Sequence, residues 1–167
     1  PAYQRVLAKK PDDAWLRYNY ATALAVNGKT AEAGQELAKV PVDDPQLAAQ
    51  VAQLYGKLKD FQGCVAALDK AIGKNKSAEL LVHRGICKHS LGDDKAALAD
   101  LEAAVATDSS NAAAHYYLGK HLGAQGKKVD AETHLKKAVE LGKDTPIAAA
   151  AEKALAELKA PPAAKKK

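Results

Sequence analysis

The sequence predicts an all-α protein, a right-handed α-solenoid of antiparallel helix hairpins. Three sets of residues in phase with one another predict it. Tyr3, Leu37, Leu68, Leu101 and Leu135 recur at intervals of 34, 31, 33 and 34 residues. Gly28, Lys59, Gly92 and Gly126 occupy the turn between two helices. Small residues flank each turn, with Ala21, Ala52, Gly85 and Gly119 before it and Ala33, Cys64, Ala97 and Ala131 after it. Self-similarity at such a period marks stacked supersecondary units, each unable to bury its apolar face alone.

Each set has a physical reason. A small residue on both helices lets the two backbones approach closely, and a larger one there costs on the order of 1–3 kcal/mol in overpacking. Glycine at the turn takes φ > 0 and stops the first helix. The least worn unit runs from Gly92 to Gly126.

In chain order, 2–9 reads as the second helix of a hairpin whose first helix is missing, with Tyr3 and Val6 at its anchor positions. That leaves three readings: more protein precedes Pro1 (the favoured one), the helix is a cap, or it pairs with another molecule. Asp12 or Asp13 caps a helix over about 14–27, and Thr30 caps its partner over about 30–40. Pro41 to Pro45 is a turn. Helices are predicted at about 46–58 and 60–73, then, after a Ser77 cap, at 78–91 and 93–106. A turn at Asp108 to Asn111 leads to helices at 112–125 and 127–141. Thr145 caps a last helix with Pro146 in its first turn. The alanine-rich 146–159 stretch reads as the solvating cap that an open array needs.

These features resemble the tetratricopeptide repeat family. The resemblance rests on Leu118, Gly119 and Leu122, on the turn glycines, on Ala131 and Ala138, and on the repeat-end prolines Pro11 and Pro45. It covers about residues 2–142. Three departures stand out: the second repeat is short, Lys59 replaces a turn glycine, and Arg84 sits where a buried leucine is usual. The register divides the chain into a half repeat at 2–10, repeats at 11–44, 45–76, 77–110 and 111–144, a capping helix at 145–160 and a disordered Pro/Ala/Lys tail at 161–167.

Composition agrees with stacked helices. Alanine is roughly a fifth of the chain and aromatics are 5%, which suits close-packed helices rather than a sheet. Of the formal charge of +5, three units come from Lys165, Lys166 and Lys167, so the folded part offers weak grounds for a nucleic-acid surface. The uneven spacing and the apolar Val82–Ile86 stretch argue against an RNA-reading repeat. No apolar run approaches a membrane span, and no signal peptide is visible.

In the family the first helices line a concave groove that holds a partner peptide. Carried onto this register, the groove-facing stripe is Trp15, Tyr18, Thr22, Ala49, Gln53, Lys57, Val82, Ile86, His89, Tyr116, Lys120 and Ala124, at spacings of three, four and seven. Trp15, Tyr18 and Tyr116 are the candidate anchors, with packing of Trp15 or Tyr18 on the 2–9 helix as the alternative. Lys57, Lys120 and His89 make the groove slightly cationic. The lysine–asparagine clamp by which some members hold a chaperone C-terminus is not matched, because Tyr18 and Thr22 occupy its places.

Cys64 and Cys87 fall on consecutive helices equidistant from the intervening link, hence at the same height. Either they form a disulfide, which implies an oxidising compartment, or they are two small buried thiols. His83 with His89, and His115 with His121, are each six apart and on different faces of one helix, so no metal site is expected. No phosphate loop, dinucleotide fingerprint, zinc-protease motif or nucleophile elbow occurs, so neither catalysis nor a cofactor is expected. The function expected is a scaffold or adaptor that binds a protein or peptide partner. The rivals are an accessory module of a larger protein and a homo-oligomer stacked through the exposed half repeat. The alanine-rich composition resembles that of bacterial proteins from GC-rich genomes. Cytoplasm and bacterial envelope both remain open.

Overall fold

The computed structural model describes residues 2–159 as ten α-helices: α1 Ala2–Leu7, α2 Ala14–Val26, α3 Thr30–Leu37, α4 Pro45–Leu58, α5 Phe61–Lys74, α6 Ala78–Ser90, α7 Asp94–Thr107, α8 Ala112–Ala124, α9 Lys128–Leu141 and α10 Pro146–Lys159. The expected tail at 161–167 lies outside the described residues. Among the described residues there is no strand, and no helix is long and apolar enough to cross a membrane.

Four hairpins form, α2 with α3, α4 with α5, α6 with α7 and α8 with α9, and α10 packs on the last of them. The turn residues adopt the backbone expected of them. Gly28, Gly92 and Gly126 lie at φ 75°, 83° and 78°. Lys59 takes the same left-handed conformation at φ 59°, so a lysine carries the strain that glycine avoids. Side-chain caps start most helices. Asp13 accepts from the Leu16 amide at 2.9 Å, Asp60 from Gly63 at 2.9 Å, Asp93 from Ala96 at 3.0 Å and Asn111 from Ala114 at 2.9 Å. Ser77 accepts from Leu80 at 3.3 Å. Each replaces an orphan amide's lost water contact.

Two expected caps differ. Thr30 is already helical and Lys29 precedes it without a side-chain cap. The Thr145 hydroxyl instead donates to the Gly142 carbonyl. Helix α3 also stops at Leu37, short of Val40, because Pro41 disfavours the helical conformation of the residue before it. Val40 and Val42 then turn inward and fill the space beside Leu37 and Tyr55.

The apolar core is a chain of clusters. One joins Tyr20, Leu24 and Ala33 to Leu7 of α1. The next runs from Ala21 and Leu37 through α4 to Leu68 and Leu80. A third holds Leu81, Val82, Leu101, Leu118 and Leu122, and a fourth joins Leu135 and Ala138 to Ala151 of the cap helix. Each buried leucine stabilises by about 1.5–3 kcal/mol. That gain exists only while the neighbouring hairpin is in place. The first helices α2, α4, α6 and α8 pack on one another in succession, whereas the second helices do so far less. The stack is therefore tighter on the first-helix side and curves toward it.

Candidate functional site

A candidate site lies on the inner face between α6 and α8. Gly85 of α6 and Gly119 of α8 let each of these helices lie close against its own hairpin partner. A Cβ on Gly85 would lie 3.1 Å from Leu101 Cγ, and one on Gly119 would lie 2.8 Å from Leu135 Cγ. Without those atoms each first helix settles onto its own partner. A cavity of about 280 Å³ then opens, lined by Ile86 and His89 of α6, Leu101 of α7, and Tyr117, Lys120, His121 and Ala124 of α8. Its walls are mainly apolar, with the exposed Lys120 and His89 at the rim and the His121 imidazole buried in the wall.

The cavity brings together Ile86, His89 and Lys120 of the expected groove residues, together with Ala124. Tyr116 stands one position round the helix. It packs toward Leu135 and Ala151, meets Tyr117 edge-on with ring centres 4.9 Å apart, and has the Lys120 ammonium 5.5 Å above its ring. Lys120 thus gains a cation–π contact. A second recess of about 240 Å³ continues past Lys120 to Ala154 and Leu158 of α10.

The remaining expected groove residues lie outside this cavity. Trp15 is 39% exposed and meets Tyr18 edge-on at 6.1 Å. Tyr18 is half-buried against the core, and its carbonyl accepts from the Thr22 hydroxyl at 3.0 Å. Among the described residues, Tyr20 makes a ring contact with α1, stacking on Tyr3 at 5.7 Å. Gln53 and Lys57 are exposed on α4. Ala49 and Val82, expected to face the groove, are only 2% and 4% exposed, so they belong to the interior. Those first helices are sandwiched between their own partner and the preceding hairpin.

Tyr117 and His121 were missed. With Lys120 and Ala124, which the expected stripe through Tyr116 also contains, they form a stripe at spacings of three and four. Burial pushes the Tyr117 phenol up from its ordinary value, with the neighbouring Tyr116 adding to the shift.

The expectation that the histidines stay apart also needs correction. It compared positions within one helix, whereas the contacts form between helices. The His89 and His121 rings meet edge-on at 5.3 Å, and His115 Nδ1 lies 2.9 Å from His134 Nδ1. Burial, then the neighbouring His115, hold the His134 imidazole below the usual histidine range. Of the two readings left open for the cysteines, the structure has the bridge: Cys64 and Cys87 are bonded, S–S 2.03 Å, with Cα atoms 6.3 Å apart. It ties α5 to α6, the second helix of one hairpin to the first of the next.

Two family models, both described as tetratricopeptide repeat, match residues 1–58 and 90–146. No curated protein matches the sequence significantly. Among solved structures the chain is similar to the crystal structure of MamA, with TM-score 0.66 at 19% identity over 84% of each chain. A thermophilic TPR protein from Thermus thermophilus gives 0.65 at 20% identity, over 92% of this chain and 87% of that one. The Yersinia enterocolitica type III secretion chaperone SycD, in complex with a peptide of the translocator YopD, gives 0.61 at 15% identity, over 70% of this chain and 93% of that one. At these identities the likeness is one of fold, an α-solenoid of helix hairpins. The two family matches together span more than half of the sequence, and the chain belongs to the tetratricopeptide repeat family.

Proposed function

We propose that this protein is an interaction scaffold that binds a peptide or protein segment on its inner face, centred on the cavity between α6 and α8. The observation that carries this reading is the composition of that cavity. Apolar walls from Ile86, Leu101 and Tyr117, with the buried His121 among them, stand under a rim bearing Lys120 and His89. Apolar walls with a few placed polar groups suit one buried side chain and an oriented backbone. The partner that fits is a segment with an apolar anchor followed by an acidic residue or a carboxylate for Lys120. SycD, similar in fold, is seen with a peptide, which supports the same mode here. The Cys64–Cys87 bridge supports an oxidising compartment as the place of action.

A displayed peptide library selected on the full chain would supply ligands. Their affinities are then measured by fluorescence anisotropy for wild type and for Ile86→Ala, Tyr117→Ala and Lys120→Glu. The reading expects about tenfold or greater weakening, since truncating a central anchor costs roughly 2 kcal/mol. Unchanged affinity in all three variants, with helical circular dichroism intact, overturns it.

A second reading is self-association through the α1 end. Tyr3, Val6 and Trp15 are large exposed apolar residues on α1 and α2. It expects a mass that rises with concentration in light scattering and falls back with Val6→Glu. A monomer at all concentrations rejects it.

A further inference from the structure

We propose that His89, Asp94 and His121 form a binding site for a divalent transition metal of the zinc class at the rim of the α6–α8 cavity. The three residues come from three helices. His89 ends α6, Asp94 opens α7 across the Gly92 turn, and His121 reaches in from α8 of the next hairpin. One ligand atom from each can be chosen so that all three lie within 4.8 Å of one another.

The present contacts favour a cation. His89 Nδ1 lies 2.6 Å from Asp94 Oδ1. His121 Nε2 lies 3.0 Å from the Asp94 main-chain oxygen and 3.0 Å from the Gln125 side-chain nitrogen. The first of these contacts asks Nε2 to donate and the second asks it to accept, and one ring nitrogen does only one at a time. A metal ion would take the place of the proton on Nε2 and use the ring lone pair, and the exposed Gln125 side chain would turn its amide away from the ring. Two imidazoles and a carboxylate are a ligand set suited to zinc, with bonds of about 2.0–2.2 Å and one position open. Donor atoms around such an ion sit roughly 3–3.6 Å apart, so the triangle must tighten by an ångström or so. His89 and Asp94 are exposed and can move, whereas His121 is 6% exposed and held in place. The ligand types rank zinc, nickel and copper above magnesium and calcium. Lys120 shares the cavity wall, and its long exposed side chain can swing away from the ion.

His89 and His121 both line the cavity, so an ion held by them would add a directional contact for a carboxylate or imidazole of whatever occupies it. The site itself needs no partner, so its test stands apart from that of peptide binding.

The test uses the full chain with its disulfide intact, which keeps Cys64 and Cys87 from acting as ligands. Zinc is titrated into chelator-treated protein by calorimetry, and cobalt is followed by its visible absorption. The expected result is one ion per chain, with His89→Ala and Asp94→Asn each weakening binding about tenfold or more. The exposed His89 carries the test, because His121→Ala removes a buried ring and can disturb the fold. His134→Ala, at the other histidine pair, leaves binding unchanged. The proposal is overturned by no saturable uptake, by uptake indifferent to His89→Ala, or by loss in His134→Ala.

Discussion

Arg84 grips Asp100 with two hydrogen bonds, Nε to Oδ2 at 2.8 Å and Nη2 to Oδ1 at 2.6 Å. Asp100 is 5% exposed. Lys88 adds a 2.8 Å contact to the same carboxylate, and Arg84 reaches Asp69 of α5 at 2.7 Å. The arginine that stands where the family usually buries a leucine is therefore a polar staple among α5, α6 and α7. Burial raises the Asp100 pKa, but the hydrogen bonds from Arg84 and Lys88 outweigh it and hold the carboxyl below its ordinary 3.8.

Removing that charge leaves Lys88 without its counter-ion and Arg84 with Asp69 alone. Asp100→Asn is expected to cost about 2–3 kcal/mol, under the range for a fully buried pair because Arg84 keeps some solvent contact. Urea unfolding measures it. The wild-type contribution is fully present above the unfolded value of 3.8 and is lost as pH falls through the lower native value.

A second pH window comes from histidine. The Ser109 carbonyl, 3.2 Å from His115 Nε2, makes that nitrogen the donor, so His115 Nδ1 accepts from His134. Protonating both rings leaves this contact without an acceptor. Burial lowers the pKa of both His134 and His83. The unfolded chain therefore binds more protons, and stability present above the unfolded value of 6.5 is lost as pH falls through the native values. Tm should drop as pH falls below 6.5, and His134→Gln should flatten that slope.

Reduction tests the cross-link. The bridged residues are separated by 23 positions, so the bond restricts the unfolded chain by about 3 kcal/mol in the loop-entropy account. Cys64→Ala/Cys87→Ala should lower the denaturation midpoint accordingly. Thiol titration of the unfolded, unreduced protein should find no free thiol.

Glycines of two kinds should respond in opposite directions. At Gly119 a Cβ would lie 2.8 Å from Leu135 Cγ and 3.1 Å from the Ala131 carbonyl. Gly119→Ala should destabilise, by up to about 3 kcal/mol before the gain in helix propensity is offset against it. At Gly73 nothing lies within 4 Å, so Gly73→Ala should stabilise by up to about 1 kcal/mol. Thermal unfolding of both variants checks the pair.

The sequence by itself determined the helices, their pairing and two of the four caps read from it, at Asp13 and Ser77. Those follow from local chemistry: small residues at fixed offsets, glycine at turns, Asp and Ser before apolar runs. Only the tertiary structure decided which residues share the cavity. That depends on how α8 is turned against α6: Lys120 and Ala124 lie on both the expected and the observed stripe, and a turn smaller than the roughly 100° between adjacent residues brings in Tyr117 and His121 in place of Tyr116. It also decided the contacts between helices. His89 with His121, His115 with His134, and Arg84 with Asp100 join side chains 16–32 positions apart. Spacing along one helix says nothing of such pairs, because their distance is set by the stacking of hairpins.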